Sequence, residues 1–504
     1  MTDEISSAAS DIPNRHVRII VIGGGLAGLA AAVRFRAERW EDFLILDRGD
    51  RIGGTWRDNT YPGAACDVPS HVYSYSFAPN PNWSRSFSRQ AEIQQYIVDV
   101  AQRHRVLDKH VFGCEVHSAR WDEDRLRWQL ETSRGRFTAD VLIGAFGALC
   151  EPAPPDIKGI AEFQGEIFHS ARWNHRIPLA DKKIAVIGTG ASAIQIVPAI
   201  AESAAELHVF QRTPPWILPR LDRPYTAVER LAFRRVPAFQ RLMRALIYWA
   251  HESQVVGFTN PWYATPLGLL ARAKLRLDVP DPELRRRLTP SYALGCKRIL
   301  LSNSYYRAFR RDTVRLVTEP ITEVRANAVV TADGAEHEAD IIVAATGFHV
   351  TDSPTYRIIF GQDGRSLGEV FDDIGHECYK GTAIANFPNM FLIVGPNTGL
   401  GHNSMIYMIE SQVAYIADAL ATMKRRGLRR VEVRKDVQQA FWRMLQGKLS
   451  RSVWSVGGCA SWYLDKHGAN STLWPGFTFE FRAITRRFDI SAYTVSTREH
   501  EAAR

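Results

Sequence analysis

The chain has 504 residues, of which 45% are apolar and 23% charged, and its formal net charge is +9. This composition is ordinary for a globular protein of two or three domains. No apolar stretch is long enough to cross a bilayer and the basic residues are scattered, so we predict no stable membrane insertion and no nucleic-acid partner.

The cysteines and the start of the chain bear on its location. Residues 1–15 are polar and acidic, unlike a secretory signal peptide. The six cysteines lie far apart and form no CxxC pair, which argues against a redox dithiol, a zinc site and a disulfide framework. They are Cys66, Cys114, Cys150, Cys296, Cys378 and Cys459. We therefore predict a cytoplasmic protein that has no metal site.

One pattern occurs twice along the chain. An apolar strand leads into a glycine loop and then into a helix of small residues, first over residues 17–32 and again over residues 183–199. Each copy closes with an acidic residue, an apolar strand and a glycine, at 139–147 and 339–347. Strands that are apolar throughout suit a parallel sheet covered on both faces. The pattern predicts an α/β fold with two Rossmann-like dinucleotide-binding domains.

The first glycine loop has the spacing of a dinucleotide site. Gly23 permits a tight turn, Gly25 lets the backbone approach a pyrophosphate, and Gly28 lets the helix pack closely on the strand. Asp47 follows the next apolar strand, where a carboxylate can accept hydrogen bonds from a ribose 2′-hydroxyl. We assign this loop to FAD.

The second loop differs at the residues that select the cofactor. Arg212 stands where the first copy has an aspartate, and a guanidinium can pair with a 2′-phosphate that a carboxylate would repel. The sequence therefore favours NADPH over NADH. The residues assigned to this cofactor are Gly188, Thr189, Gly190, Ser192, Ala193, Arg212 and Thr213.

The order of the two units predicts the domain organisation. We expect a discontinuous FAD-binding domain, residues 1–150 and 348–504, around a continuous NADPH-binding domain, residues 151–347. Arginine, leucine and alanine recur at helical spacing over residues 220–294, with a break at Pro237, which predicts a helical insertion in the second domain.

The segment FQGEIFHSARWN, residues 163–174, resembles the fingerprint FxGxxxHxxxW followed by Pro or Asp. That fingerprint is typical of type I Baeyer–Villiger monooxygenases, which are class B flavoprotein monooxygenases of the flavin-containing monooxygenase superfamily. The matching residues are Phe163, Gly165, His169 and Trp173, and Asn174 is the one departure. Related amine and sulfide oxygenases carry Phe or Tyr in place of this tryptophan. By this resemblance we expect His169 to couple domain motion rather than to act as an acid or base.

Two further segments carry the resemblance over nearly the whole chain. Residues 53–67 match the family motif GGxWxxxxYPGxxxD, which implies that Thr55, Trp56 and Tyr73 line the flavin. The backbone of Val116 matches the position that meets the adenine.

The third matching segment supplies the predicted reaction centre. In Lys297-Arg298, which precedes Tyr305-Tyr306, the resemblance makes Arg298 the catalytic arginine and places Lys297 beside the 2′-phosphate. A guanidinium cannot lose its proton at working pH, so it can stabilise an anion without protonating it. An arginine without a counter-ion would be costly to desolvate, and Asp67 is the expected partner. We therefore predict that Asp67 is catalytic together with Arg298, and we also count it among the cofactor-binding residues.

Two C-terminal segments complete the prediction. Residues 395–399 read as a loop that presents the helix of residues 403–421 to the flavin. Residues 459–476 resemble the tail of one Baeyer–Villiger subgroup, and Trp462 is our candidate on the substrate side.

The resemblance implies an enzyme that uses FAD, NADPH and O₂ to convert ketones to esters or lactones through a C4a-peroxyflavin. One alternative is an N- or S-oxygenating flavin-containing monooxygenase. An alternative of another class is a non-catalytic, NADPH-sensing flavoprotein. The sequence leaves the ketone (linear, cyclic, aromatic or steroid) and the oligomeric state open.

Overall fold

The computed structural model describes residues 15–260 and 265–497. Residues 1–14, nearly all of the polar opening segment considered above, lie outside the described residues. Among the residues described, no helix combines the length and the apolar character needed to pass through a bilayer.

The first part of the chain builds most of an eight-stranded sheet. Its strands are β1 (Arg15–Ile22), β2 (Phe43–Leu46), β3 (His110–Val111), β4 (Val116–Asp122), β5 (Arg127–Thr132) and β6 (Gly135–Gly144). Its helices are α1 (Leu26–Ala37), α2 (Thr55–Asp58) and α3 (Gln90–Arg103). β1 lies between β2 and β6 and is parallel to both, so its glycine loop emerges at the carboxyl edge of the sheet.

The second part forms a separate sheet of five parallel strands. The strands of this part are β7 (Glu166–His169), β8 (Lys183–Ile187), β9 (Glu206–Phe210), β10 (Ile217–Leu218), β11 (Leu300–Leu301), β12 (Val314–Val317), β13 (Ile321–Arg325), β14 (Ala328–Thr331), β15 (Glu336–Glu338) and β16 (Ile341–Ala344). The order in the parallel sheet is β12-β9-β8-β16-β7, and β13, β14 and β15 form a separate antiparallel sheet. The last four of the five residues of β8 are buried, as expected for a strand in a sheet that is covered on both faces.

Helices occupy most of the stretch between β10 and β11. The helices of the second part are α4 (Ala193–Ile200), α5 (Ala227–Arg235), α6 (Pro237–Glu252), α7 (Val255–Thr259), α8 (Thr265–Asp278), α9 (Pro282–Arg287) and α10 (Tyr305–Ala308). α6 begins at Pro237, because proline is tolerated in the first turn of a helix but not in its interior.

The chain then returns to the first sheet. The remaining strands are β17 (Ile359–Phe360), β18 (Met390–Leu392), β19 (Leu428–Val433) and β20 (Tyr493–Thr497). The remaining helices are α11 (Leu367–Ile374), α12 (Met405–Arg426), α13 (Lys435–Leu449), α14 (Val453–Val456) and α15 (Thr478–Ile484). β17 pairs with β4 and β18 with β6. Two separate sheets, each with a β-strand, glycine loop and helix, confirm the predicted α/β class with two Rossmann-like units.

Helix α12 starts and ends later than the predicted 403–421. The hydroxyl of Ser404 accepts a hydrogen bond from the Ile406 amide and so caps the helix start. Gly427 ends it in the left-handed conformation, at φ 64°. The helix therefore runs through the three basic residues 424–426, which suit its negative dipole end.

The interpretation of the cysteines is wrong for one pair. Cys296 and Cys459 form a disulfide, with their Cα atoms 6.2 Å apart, although 163 positions separate them. Spacing rules detect only local cysteine patterns, whereas here the C-terminal segment folds back onto the loop that carries Arg298. Cys66, Cys114, Cys150 and Cys378 are free.

We expect thiol counting to detect this bond. The unfolded protein should contain four reactive thiols when no reductant is present, and six thiols after reduction. Because the bond closes a long loop, Cys459→Ser should lower the free energy of unfolding by about 2–4 kcal/mol. Cys378→Ser is the control that leaves the disulfide intact, and six thiols before reduction would contradict the assignment.

Candidate active site

After the first glycine loop, no side chain caps the amide groups at the start of helix α1. A side chain on Gly23, at φ +111°, would lie 2.5 Å from the Ala145 carbonyl oxygen, and one on Gly28 would lie 1.9 Å from that of Gly23. Gly25 caps α1 with no side-chain bond, and no acidic residue stands in the first turn. The amide groups at this helix end therefore fit an anionic pyrophosphate.

Asp47 is more deeply engaged with the protein than the sequence suggests. Its carboxylate accepts hydrogen bonds from the amides of Gly24 (2.6 Å) and Gly49 (2.7 Å) and from the Arg57 guanidinium (2.8 Å). The side chain is buried and holds the shape of the loop, a role that sequence reasoning missed together with Arg57. Its bond to a ribose hydroxyl stays a prediction.

The residues predicted to line the flavin lie beside this loop. A side chain on Gly54, at φ +55°, would meet the Gly25 Cα at 2.9 Å, so the two glycine segments touch. Trp56 Nε1 donates to the Tyr73 hydroxyl at 3.0 Å, with the two rings nearly perpendicular. Burial raises the pKa of Tyr73, which keeps this hydroxyl neutral. Thr55 is exposed and is the first residue of α2. Val116 is buried and is the first residue of β4, in the sheet that contains β1.

The second glycine loop is open where a pyrophosphate would approach. A side chain on Gly188, at φ +115°, would lie 2.5 Å from the Ala345 carbonyl oxygen. Within the described part of the chain, no atom beyond Gly190 and its two chain neighbours lies within 4 Å of the position that a side chain on Gly190 would occupy. Ser192 directly precedes helix α4, and the first residue of that helix, Ala193, is fully buried. The hydroxyl of the remaining loop residue, Thr189, donates to the Thr213 carbonyl at 3.1 Å.

Two cations beyond this loop, Arg212 and Lys297, lie within electrostatic reach of each other. Arg212 is exposed at the end of β9 and forms no ion pair within residues 15–260 and 265–497. Burial lowers the pKa of half-buried Lys297, and the charge of Arg212 lowers it further. Two neighbouring cations without a carboxylate suit a dianionic phosphate.

Arg298 and Asp67 form a two-pronged ion pair across 231 positions of sequence. Arg298 Nη2 donates to Asp67 Oδ1 at 2.8 Å and Nε donates to Oδ2 at 3.0 Å. The carboxylate raises the pKa of Arg298, so the guanidinium keeps its proton. Buried Tyr463 lies within electrostatic reach of Arg298, and burial raises the pKa of this tyrosine to about 12. Sequence reasoning missed Tyr463, although it adjoins Trp462.

The fingerprint segment lies at the junction of the two sheets. His169 ends β7, its Nδ1 accepts from the Ala171 amide at 3.1 Å, and its ring lies 5.6 Å from Phe348. Burial lowers the pKa of His169, and its Nε2 has no hydrogen-bond partner among the described residues. These contacts place the histidine where the chain crosses back to the first sheet.

The remaining fingerprint residues pack or turn the segment. The Trp173 ring lies 4.9 Å from Phe168 and shares a buried cluster with Tyr61 of the YPG turn. A side chain on Gly165 would lie 2.3 Å from the Asp340 carbonyl oxygen and also strike the ring of Phe163.

Asn174, the departure from the fingerprint, accepts a hydrogen bond from the Arg176 amide at 3.1 Å and so makes a local turn.

A glutamine missed by the sequence analysis joins the two nucleotide units. Gln195 on α4 accepts hydrogen bonds from the Tyr61 hydroxyl (3.1 Å) and the Ala65 amide, and donates to the Ala65 carbonyl. A polar side chain in the apolar helix AIQIVPAI is the signal that could have found it.

Trp462 lies at the surface of the C-terminal segment, next to Tyr463. It is 44% exposed and packs edge-on against Tyr463, with ring centroids 4.5 Å apart. Its place on the substrate side stays a prediction.

Comparisons with known proteins show what this chain is similar to. A family model described as pyridine nucleotide-disulphide oxidoreductase matches residues 20–229. A Baeyer-Villiger monooxygenase of Pseudomonas aeruginosa is 49% identical over 96% of this chain and 92% of its own length. A solved structure of OTEMO in complex with FAD and NADP has a TM-score of 0.87 at 26% identity, covering 96% of this chain and 100% of that one. Oxidised steroid monooxygenase bound to NADP has a TM-score of 0.84 at 30% identity, with the same coverage.

Two glycine substitutions should separate packing from ligand binding. Gly28→Ala places a methyl group against the Gly23 carbonyl, so we expect loss of bound FAD and of soluble protein. Gly190→Ala meets no described protein atom and should keep FAD, measured by absorbance, while weakening NADPH binding. Equal FAD content in both variants would contradict this assignment of the loops.

Removing either cation should weaken NADPH binding selectively. Arg212→Ala and Lys297→Ala should each raise the NADPH KM by about tenfold or more, because each removes a charged hydrogen bond to phosphate. FAD content should not change, and Arg315→Ala, on the neighbouring strand β12, is the control. If NADH supports the parent enzyme as well as NADPH does, the cofactor assignment is wrong.

Proposed function

Because the chain belongs to the Baeyer–Villiger monooxygenases, we propose that the Arg298–Asp67 ion pair is the centre of its reaction. The enzyme uses FAD, NADPH and O₂ and converts a ketone to an ester or lactone. Bound FAD, once reduced by NADPH, supplies the activated oxygen that is inserted beside the carbonyl carbon. The protein supplies position and charge, and the two-pronged pair is the observation that carries this proposal.

Arg298 acts as a fixed positive charge. Its guanidinium stabilises the negative charge that develops on oxygen during attack on the ketone, and it keeps its own proton throughout. Asp67 holds two of its nitrogen atoms and so sets the plane of the guanidinium. Asp67 is therefore a positioning residue as well as a counter-ion.

The residues beside the two glycine loops would hold the cofactors. The uncapped start of α1 would hold the FAD pyrophosphate. Asp47 would bind the ribose through Oδ2, because this oxygen accepts only one hydrogen bond among the described residues, from the Gly24 amide, and so can accept another. The open face at Gly190 would take the NADPH pyrophosphate, with Arg212 and Lys297 at its 2′-phosphate.

The two sheets support the proposed domains. FAD would belong to residues 1–150 and 348–504, since strands from both sides of the interruption share one sheet. NADPH would belong to residues 151–347, whose helical insertion, about 220–294, spans the five helices α5 to α9. Relative movement of these domains would change the contacts of His169 and Gln195.

The substrate is a small-molecule ketone together with O₂, and we place its pocket near Arg298, Tyr463 and the C-terminal segment. The disulfide ties that segment to the Arg298 loop and so supports this placement. We propose a cytoplasmic location, supported by the need for NADPH.

Removal of the guanidinium should uncouple the enzyme. Arg298→Ala should still oxidise NADPH but should form ester about 100- to 1,000-fold more slowly, because the charge that stabilises the oxyanion is gone. Product mass and NADPH consumption are measured in parallel, with Arg315→Ala as the surface control. A normal yield of ester from Arg298→Ala would refute the proposed role.

A choice of substrates tests the reaction class. Oxygen uptake should rise with a ketone and produce an ester or lactone, whereas a tertiary amine should give no N-oxide. N-oxide as the main product would instead support an amine-oxygenating enzyme, and turnover of neither substrate would support an NADPH sensor.

A further inference from the structure

Helix α6 presents an apolar stripe to solvent. Phe239, Leu242, Leu246 and Trp249 are 38%, 54%, 56% and 58% exposed, respectively. Their spacing of three, four and three residues puts them on one face of the helix, over a length of about 15 Å. Single exposed leucines need no explanation, but a row of four large apolar residues marks an interaction surface.

The opposite face of α6 is already held by the protein. Gln240 is buried and donates to the Asn80 carbonyl at 2.8 Å, and Arg244 donates to the Ser74 carbonyl at 2.9 Å. Tyr248 is hydrogen-bonded to the Thr478 hydroxyl at 2.9 Å. The stripe is therefore the outward face of a firmly placed helix.

A neighbouring element lengthens the stripe. The ring of Phe479, in α15, lies 5.9 Å from the Trp249 ring and is 39% exposed. The apolar surface thus continues from the helical insertion onto the C-terminal part of the chain.

The exposed charges on helices α5 and α6 are positive. Arg234, Arg235 and Arg241 are exposed on α5 and α6. The two acidic residues of these helices do not balance them, because Glu229 is bonded to Arg223 and Glu252 is fully buried. An exposed apolar row flanked by arginines is the composition of helices that lie in a membrane interface.

We propose that this stripe docks the protein on an anionic phospholipid surface, with α6 lying in the plane of the interface. Leucine and aromatic side chains would enter the headgroup boundary while the arginines meet lipid phosphates. A twofold dimer would be less favourable, since α5 and α6 of a second copy offer these arginines no free carboxylate: Glu229 is bonded to Arg223 and Glu252 is buried. The inference is independent of the proposed reaction.

Flotation of the FAD-loaded enzyme with vesicles tests this docking. The enzyme should float with vesicles of phosphatidylcholine and phosphatidylglycerol, but only weakly with phosphatidylcholine alone, and high salt should weaken binding. Leu242→Gln/Leu246→Gln should reduce the bound fraction by about tenfold or more, since two buried leucines are lost from the interface. FAD absorbance and activity on a water-soluble ketone should match those of the parent.

Two control sets separate the stripe from general surface effects. Met444→Gln/Val495→Gln, which changes exposed apolar residues outside the insertion, should float like the parent. Arg234→Gln/Arg235→Gln/Arg241→Gln should lose the preference for anionic vesicles.

Three results would overturn the proposal. The first is a parent enzyme that does not float with anionic vesicles. The second is equal flotation of the leucine variant. The third is a solution dimer that the leucine variant converts to a monomer, because a second copy would then cover the stripe.

Discussion

The ion pair of Arg298 and Asp67 is the contact on which the rest of the site depends. The side chains of Arg298 and Asp67 are 35% and 24% exposed, so both charges are partly removed from water and each stabilises the other. Asp67 lies after the YPG turn beside the first glycine loop, whereas Arg298 precedes β11 after the helical insertion. The pair can therefore form only when the two dinucleotide units are docked on each other.

Further contacts support that docking from several sides. Gln195 binds the backbone next to the YPG turn, and Trp173 packs in a cluster with Tyr61 of the same turn. The Cys296–Cys459 disulfide joins the C-terminal segment to the loop of Arg298. A charge that must meet a developing oxyanion needs such support, because small displacements weaken electrostatic stabilisation strongly.

The surface of the helical insertion differs from the reaction centre in how its apolar and polar side chains are arranged. At the reaction centre, the charge of Arg298 finds its partner within the protein, in Asp67. On α6, large apolar groups face outward while polar Gln240 faces inward. This inversion of the usual amphipathic pattern is what indicates a partner outside the chain.

The sequence by itself determined the α/β class and the two glycine loops, because strand burial and glycine geometry are local properties that spacing records. It also indicated the pairing of Arg298 with Asp67, through a family motif and the cost of an unpaired buried charge. It could not show that Cys296 meets Cys459, that three protein donors surround Asp47, or that Gln195 spans the two units. Cys296 and Cys459 are 163 positions apart and Gln195 reaches from one unit to the other, so only the tertiary structure brings these groups within bonding distance. The donors to Asp47 are nearer in sequence, but the folded shape of the loop decides that all of them point at one carboxylate.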